Sequence, residues 1–190
     1  MGLIETYTGH WLNPFKLDKQ QVDIIDIAHA LSLVCRFSGQ CREFYSVAEH
    51  SIAVAKLVPK SLRLTALLHD AHEAYFGDTA TPHKFPKLIA IENAAQEVIE
   101  EVFGVSYSYD DMHLVKQADE NMKVTEAFYL MKSKGLSDGW KPVRGVVIPS
   151  MQPICMTPTE AEGSFLLHYH SYRRYNAALS RKKTSKQRTV

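Results

Sequence analysis

Apolar residues recur along this chain at helical spacing. Over residues 20–34, Ile24, Ile27, Ala28, Leu31 and Val34 fall on one face of a 3.6-residue repeat, and Ser38-Gly39 breaks the run. Ser46 followed by Glu49 has the form of a capping box, with Tyr45 placed as a hydrophobic staple. Val47, His50, Val54 and Leu57 then form a stripe that Pro59 stops. A third helix is predicted to begin at Ser61 and to run unbroken through Leu64, Leu67, Leu68, Ala71, Ala74 and Tyr75 to a Gly77 cap. Pro82 and Pro86 make 79–86 a loop. Further helices are predicted over 88–102, ended by Gly104, and 110–132, ended by Gly135. Residues 138–158 hold four prolines and read as a loop with at most one short strand. Thr159 with Glu162 forms a second capping box, opening a last helix through Phe165, Leu166, Tyr169, Tyr172 and Leu179. Residues 1–18 read as an irregular arm or a short strand pair. The predicted class is all-α.

Composition adds limits. The chain has 190 residues, 45% hydrophobic and 23% charged, values that suit one globular domain with a sizeable core. The formal charge of +1 hides an asymmetry. Residues 181–190 hold five of the 22 basic residues and no acid, so residues 1–180 carry 17 bases against 21 acids. The expectation is one domain over 1–180 and a basic, disordered tail over 181–190. An acidic body argues against a nucleic-acid-binding surface. Neither a membrane-spanning run nor a secretory leader is evident, and Cys35, Cys41 and Cys155 are too few for a disulfide framework. A reducing, cytoplasmic setting is expected.

Four polar residues sit where the helical repeat calls for apolar ones. His50 lies within the Val47/Val54/Leu57 stripe, His69 and Asp70 follow Leu67-Leu68, and Asp119 shares a stripe with Met112, Val115 and Met122. A buried imidazole or carboxylate is costly unless it is paired or ligates a metal. Two imidazoles and two carboxylates from three helices would make an N₂O₂ set for a divalent ion such as Mn, Co, Fe or Zn. Each residue also has a plainer reading: a hydrogen-bonded core histidine, a chance His-Asp pair, an Asp119 paired with Lys116 or Lys123. Four violations on three helices count against explaining each separately. Glu73, one turn beyond His69 and Asp70, stands where a general base would stand, or is a solvated acid. Asp78 follows the Gly77 stop.

In order, His50, His69-Asp70 and Asp119 resemble the H…HD…D signature of the HD-domain phosphohydrolases. Cys35-Arg36-Phe37, the block from Tyr45 to Ser51, His69-Asp70-Ala71-His72-Glu73, Gly77-Asp78-x-x-Thr81-Pro82-x-Lys84 and the block from Val115 to Asp119 resemble the 5′-deoxynucleotidase branch and its bacterial and phage relatives. Some of those relatives hydrolyse deoxynucleoside triphosphates such as dATP. The resemblance implies an HD-domain helical bundle with one divalent metal (Co, Mn, Zn, Fe or Mg) on His50, His69, Asp70 and Asp119. It implies that Glu73 and Asp78 are the catalytic carboxylates, with Glu73 activating or positioning the attacking water. Arg36 would hold the phosphate, Asp78 and Thr81 would line the sugar and leaving-group side, and Lys84 would be a second cation. Phe37 departs from the nucleotidases, which have tryptophan there, and that puts sugar discrimination in question.

The activity so implied is removal of phosphate from 5′-deoxynucleotides, with a small-molecule deoxynucleotide as partner, no membrane, and a homo-oligomeric assembly. Tripolyphosphate release from a triphosphate is the alternative, for which Arg42, Lys84 and Lys87 would be the added cations. Hydrolysis of an alarmone or cyclic nucleotide fits the superfamily but not the flanking blocks; a non-catalytic nucleotide-binding module would be signalled by loss of a ligand or of Glu73, and none is lost.

Overall fold

The computed structural model describes residues 2–136 and 151–187, with side chains as far as Arg181. Its described residues form seven α-helices and one small antiparallel strand pair, the all-α class that the periodicity predicts. The pair, β1 (Ile4–Glu5) and β2 (Trp11–Leu12), is registered Ile4 to Leu12 and Glu5 to Trp11. No helix among the described residues is long and apolar enough to cross a membrane.

Helix α1 (Ile24–Leu33) starts with the first residue of its apolar stripe, four residues after the predicted start at residue 20, because the Asp23 side chain accepts the Ile25 N–H and caps it there. Helix α2 (Val47–Leu57) begins on Ser46, whose hydroxyl accepts the Glu49 N–H at 3.1 Å. Every residue of α2 from Val47 to Ala55 is buried. A single stripe does not describe this helix. Its alanines Ala48, Ala53 and Ala55 let neighbours approach on all sides, so α1, α3, α6 and α7 surround it.

The third predicted helix is broken. Helix α3 (Arg63–Leu67) ends at Leu68, residues 68–72 form turns, and α4 (Glu73–Phe76) resumes for one turn before Gly77. The break is knit by three-residue hydrogen bonds, Ala71 N–H to Leu68 C=O and Glu73 N–H to Asp70 C=O. Apolar spacing alone does not reveal it, since Leu67, Leu68 and Ala71 are all buried on both sides of the kink.

Helix α5 (Pro86–Phe103) takes proline at its first turn and Gly104 in the left-handed conformation at its end. Helix α6 (Tyr109–Leu130) has a full capping box between Ser108 and Asp111. Helix α7 (Pro158–Gln187) opens two residues earlier than predicted. The box uses Thr157 and Glu160, with the Thr157 N–H and hydroxyl donating to Glu160 at 2.9 and 2.7 Å. The helix also runs to Gln187, well into the stretch read as a disordered tail. Arg, Lys and Gln are good helix formers and no proline interrupts them, so the last turns propagate from the packed part of α7. The predicted loop over 138–158 lies largely outside the described residues.

The core joins α1 (Ile27, Leu31), α2 (Ile52, Val54), α3 (Leu64, Leu67), α6 (Val115, Met122) and α7 (Phe165, Tyr169). A polar cluster sits at one side of α2, where residues 68–72 and α6 meet it.

Candidate metal centre

His50, His69 and Asp119 each offer one ligand atom, and these atoms all lie within 4.8 Å of one another. The three could therefore hold a metal ion. His50 comes from the middle of α2, His69 from the 68–72 break and Asp119 from the first half of α6. Asp70 joins them: its Oδ2 is 3.1 Å from His69 Nε2 and 3.7 Å from His50 Nε2. On a regular helix, neighbouring side chains diverge by about 100°. The break removes that restriction, and it explains how adjacent residues face one centre.

The tautomers are fixed from behind. His50 Nδ1 is 2.6 Å from Glu126 Oε1, and His69 Nδ1 donates to the Ala66 carbonyl at 2.8 Å. Each Nδ1 therefore carries a proton, so each Nε2 is the atom that faces the cluster and offers its lone pair once a cation takes the place of its own proton. Both Nε2 atoms are buried without a hydrogen-bond partner, although Asp119 Oδ1 is 3.1 Å from that of His50. Two orphaned imidazole nitrogens facing two carboxylates form a donor set that fits a borderline divalent cation.

Charge in the cluster is strongly coupled. Burial pushes the Asp119 carboxyl up, but the nearness and the charges of His50 and His69 outweigh it and hold it well below the usual range. Asp70 is likewise lowered, burial being outweighed by His69. The two histidines are raised despite burial, His50 by Glu126 and Asp119, His69 by Asp70 and Asp119. A cation would take the place of those protons.

Helical periodicity does not single out Glu126. It is fully buried, and its second oxygen accepts Arg36 Nε at 3.1 Å. It sits seven residues after Asp119 on the same face of α6. That i, i+7 spacing was the available signal, masked because a Glu in an otherwise polar helix looks solvated.

Arg36 is 5% exposed, and its Nη1 lies 3.8 Å from Asp70 Oδ2. It opens a turn in which Phe37 (φ 55°) and Ser38 (φ 51°) are left-handed, a conformation that costs non-glycine residues about 1–2 kcal/mol each. Asp78 holds that turn, accepting the Phe37 N–H at 3.0 Å. The Phe37 ring sits 5.4 Å from the Arg36 guanidinium. Gly77 (φ 77°) lets the chain turn back so that Asp78 reaches there.

Glu73 is 5% exposed, its Oε2 has no hydrogen-bond partner, and it is not a solvated acid. Burial, then the charges of Asp70 and Asp78, push its carboxyl up to about 9. Thr81 and Lys84 fare differently. Thr81 opens an exposed 3₁₀ turn (Thr81–His83), and Lys84 Nζ pairs with the buried Glu92 at 2.7 Å. Nothing in the sequence sets Glu92 apart from the other acids of α5. Arg42 and Lys87 are both exposed.

A cavity of about 340 Å³ opens beside the cluster, bounded by His69, His72, Gln96, Glu100, Lys116 and Asp119. It gives the centre access from solvent between α5 and α6.

No family model matches the chain. It is 35% identical over 175 residues to the uncharacterized protein YfdR of Escherichia coli K12, covering 90% of this chain and 95% of that protein. It is also 44% identical over 82 residues to the uncharacterized protein RCAP_rcc00048 of Rhodobacter capsulatus, covering 38% of this chain and 40% of that one.

Proposed function

The chain belongs to the family of Escherichia coli YfdR, and for this member we propose a metal-dependent phosphohydrolase of the HD-domain type that acts on 5′-deoxynucleoside monophosphates. The observation that carries the reading is the pair of orphaned Nε2 atoms facing Asp70 and Asp119, with the buried Arg36 3.8 Å from Asp70. His50, His69, Asp70 and Asp119 would hold one divalent ion, with Co, Mn, Zn, Fe and Mg the candidates. When bound, it supplies Lewis-acid polarisation of a phosphoryl oxygen and a lowered water pKa.

Arg36 presents a planar fork, always charged, suited to the equatorial oxygens of a transferring phosphoryl group. Glu126 keeps that fork oriented through Nε, leaving its terminal nitrogens for the phosphate. Asp78 fixes the Phe37 amide, and so the turn from which Arg36 projects. Glu73 takes the proton from the attacking water at Oε2. The water oxygen bonds to phosphorus as the P–O5′ bond breaks, and the proton taken by Glu73 passes through solvent to the departing O5′, restoring the carboxylate. Burial and two neighbouring carboxylates keep Glu73 neutral up to about pH 9 in the metal-free protein. Added positive charge in the cluster lowers that value toward the range of a working base.

A triphosphate would need cations beyond Arg36. Lys84 is engaged by Glu92, and Arg42 and Lys87 are exposed. The engagement of Lys84 favours the monophosphate reading, and Lys116, which lines the cavity beside the cluster, is the cation that would serve a triphosphate.

The test is product analysis. Chelator-stripped protein is assayed with and without Mn, Co, Mg or Zn against deoxy- and ribonucleoside mono- and triphosphates. Metal-dependent orthophosphate from deoxynucleoside monophosphates is the expected result, and the deoxy/ribo ratio reports what Phe37 contributes. Tripolyphosphate from triphosphates would replace the monophosphate reading. No release from either panel would remove it.

A further inference from the structure

Helix α5 hydrogen-bonds to the 68–72 break through the side chain of Gln96. Gln96 Nε2 donates to the Leu68 carbonyl at 2.8 Å, and Gln96 Oε1 accepts the His72 backbone N–H at 3.2 Å. Those are the first and last residues of the break that presents His69 and Asp70. The same Oε1 lies 3.2 Å from His72 Nδ1, and Nε2 also donates to Glu100 Oε1 at 3.0 Å. Tyr107 in turn donates its hydroxyl to Glu100 Oε2 at 2.7 Å.

The amide orientation is determined by its partners. A carbonyl accepts only from a donor and an N–H donates only to an acceptor, so a flipped amide would oppose like groups at both ends. An amide is also one of the few side-chain groups that can satisfy a backbone carbonyl and a backbone N–H four residues apart at once. A carboxylate accepts only, and lysine donates only. Within the break, the stabilising bonds are short three-residue closures of poorer geometry than an α-helix provides. Such a segment needs an external tie to hold one conformation.

The break also carries two histidines, and only His69 joins the cluster. His69 is turned inward by the Ala66 carbonyl, while Gln96 contacts both the amide and the ring of His72. We propose that Gln96 is the positioning residue of this centre: it clamps both ends of the break, aims His69 and Asp70 at the cluster, and holds His72 out of the ligand set. The inference rests on the metal reading above.

The experiment titrates Co(II) into the chelator-stripped full-length chain and its Gln96→Leu and Gln96→Glu variants, following the visible d–d band. Leucine matches the volume and removes both polar ends; glutamate keeps the shape and the acceptor but loses the donor to Leu68. Outer-shell partners of metal ligands typically contribute 10- to 100-fold in affinity. We expect Gln96→Leu to bind Co(II) weaker by about that factor, with a shifted band. Gln96→Glu should fall between it and the unmutated chain, and both variants should keep the far-UV helical signal. Unchanged affinity and band shape in both variants would overturn the proposal. So would an affinity loss that appears only alongside loss of helical signal, since that would make Gln96 a general packing residue. Failure of the unmutated chain to take up Co(II) is a separate result that would remove the metal centre itself.

Discussion

His50 Nδ1 and Glu126 Oε1 stand 2.6 Å apart, and neither side chain has any exposed surface. Glu126 holds Arg36 with its other oxygen, so one carboxylate orients both a candidate ligand and the candidate phosphate-binding base. Desolvating a carboxylate this fully is tolerated because it is paired twice: burial pushes its carboxyl up, and Arg36 and His50 more than reverse that.

Removing Glu126 should therefore hurt two functions at once. Glu126→Gln keeps the shape and one acceptor but loses the charge facing His50 and Arg36. Metal affinity should drop by about 10–100-fold. Glu126→Ala leaves Arg36 buried without its main partner and should cost about 3–5 kcal/mol of stability. Calorimetric metal titration and denaturant unfolding measure the two losses. A Glu126→Gln protein with unaltered metal affinity would show that the His50 tautomer is set some other way.

Glu73 predicts an unusual pH dependence for the metal-free protein. Its folded-state value near 9 lies above the ordinary 4.5. Below pH 4.5 it is protonated in both folded and unfolded states, and its contribution is fully present. As pH rises toward 9 the unfolded chain ionises freely while the folded one resists, so stability falls across that window. His50 and His69, also raised, add in the same direction above pH 6.5. The midpoint of urea unfolding should fall between pH 5 and 9, and Glu73→Gln should flatten the part of that fall below pH 6.5. An identical slope in the variant would mean that Glu73 is not the titrating group. Asp70 and Asp119, both lowered, act oppositely, and their contribution is lost only in strong acid.

Metal holding and turnover should separate by residue. Asp70→Ala removes a carboxylate facing both imidazoles and should abolish metal uptake and activity together. Glu73→Gln leaves His50, His69, Asp70 and Asp119 untouched. It should retain the metal and lose turnover by about 10²–10⁴-fold, the usual size of a general-base contribution. Metal content by atomic emission alongside phosphate release distinguishes them. Full turnover by Glu73→Gln would remove it from the mechanism.

What the sequence discloses follows interaction range. The Ser46 cap, the Gly104 stop and the polar intrusions at His50, His69, Asp70 and Asp119 are local, and the chain's periodicity exposes them. The 68–72 break is not, because its tie, Gln96, comes from another helix 24 residues on. Glu126 and Glu92 reach partners 76 and 8 residues away, and apart from the seven-residue spacing of Glu126 from Asp119 nothing in their own neighbourhoods marks them as buried. Lys84 is the converse case. A lysine beside Thr81-Pro82 matches a motif for phosphate contact, yet a buried carboxylate on α5 takes its ammonium. Local pattern finds candidate ligands well; it does not find the groups that orient or neutralise them.

Glu49 shows the same limit, and it yields the last prediction. Its spacing from Ser46 reads as a capping box, but only half of that box forms: Ser46 caps the Glu49 N–H, while the Glu49 carboxylate turns elsewhere. It accepts the N–H groups of Ile154, Cys155 and Met156 at 2.6, 3.1 and 2.7 Å, 105 to 107 residues away. Cys155 adopts φ 60° to present its amide. Three charge-assisted bonds from one 3%-exposed carboxylate moor the segment leading into α7 against α2, next to His50. Glu49→Gln would replace one acceptor oxygen by a donor facing a donor. The expected cost is about 2–4 kcal/mol of stability, from one lost charged bond and one opposed pair. Faster proteolysis in the segment before Thr157 should accompany it. The Co(II) spectrum should stay unchanged, because Glu49 does not touch the cluster. Limited proteolysis with mass mapping, beside the Co(II) titration, tests both halves. A variant of native stability and protease resistance would show that packing of α7 alone holds the segment.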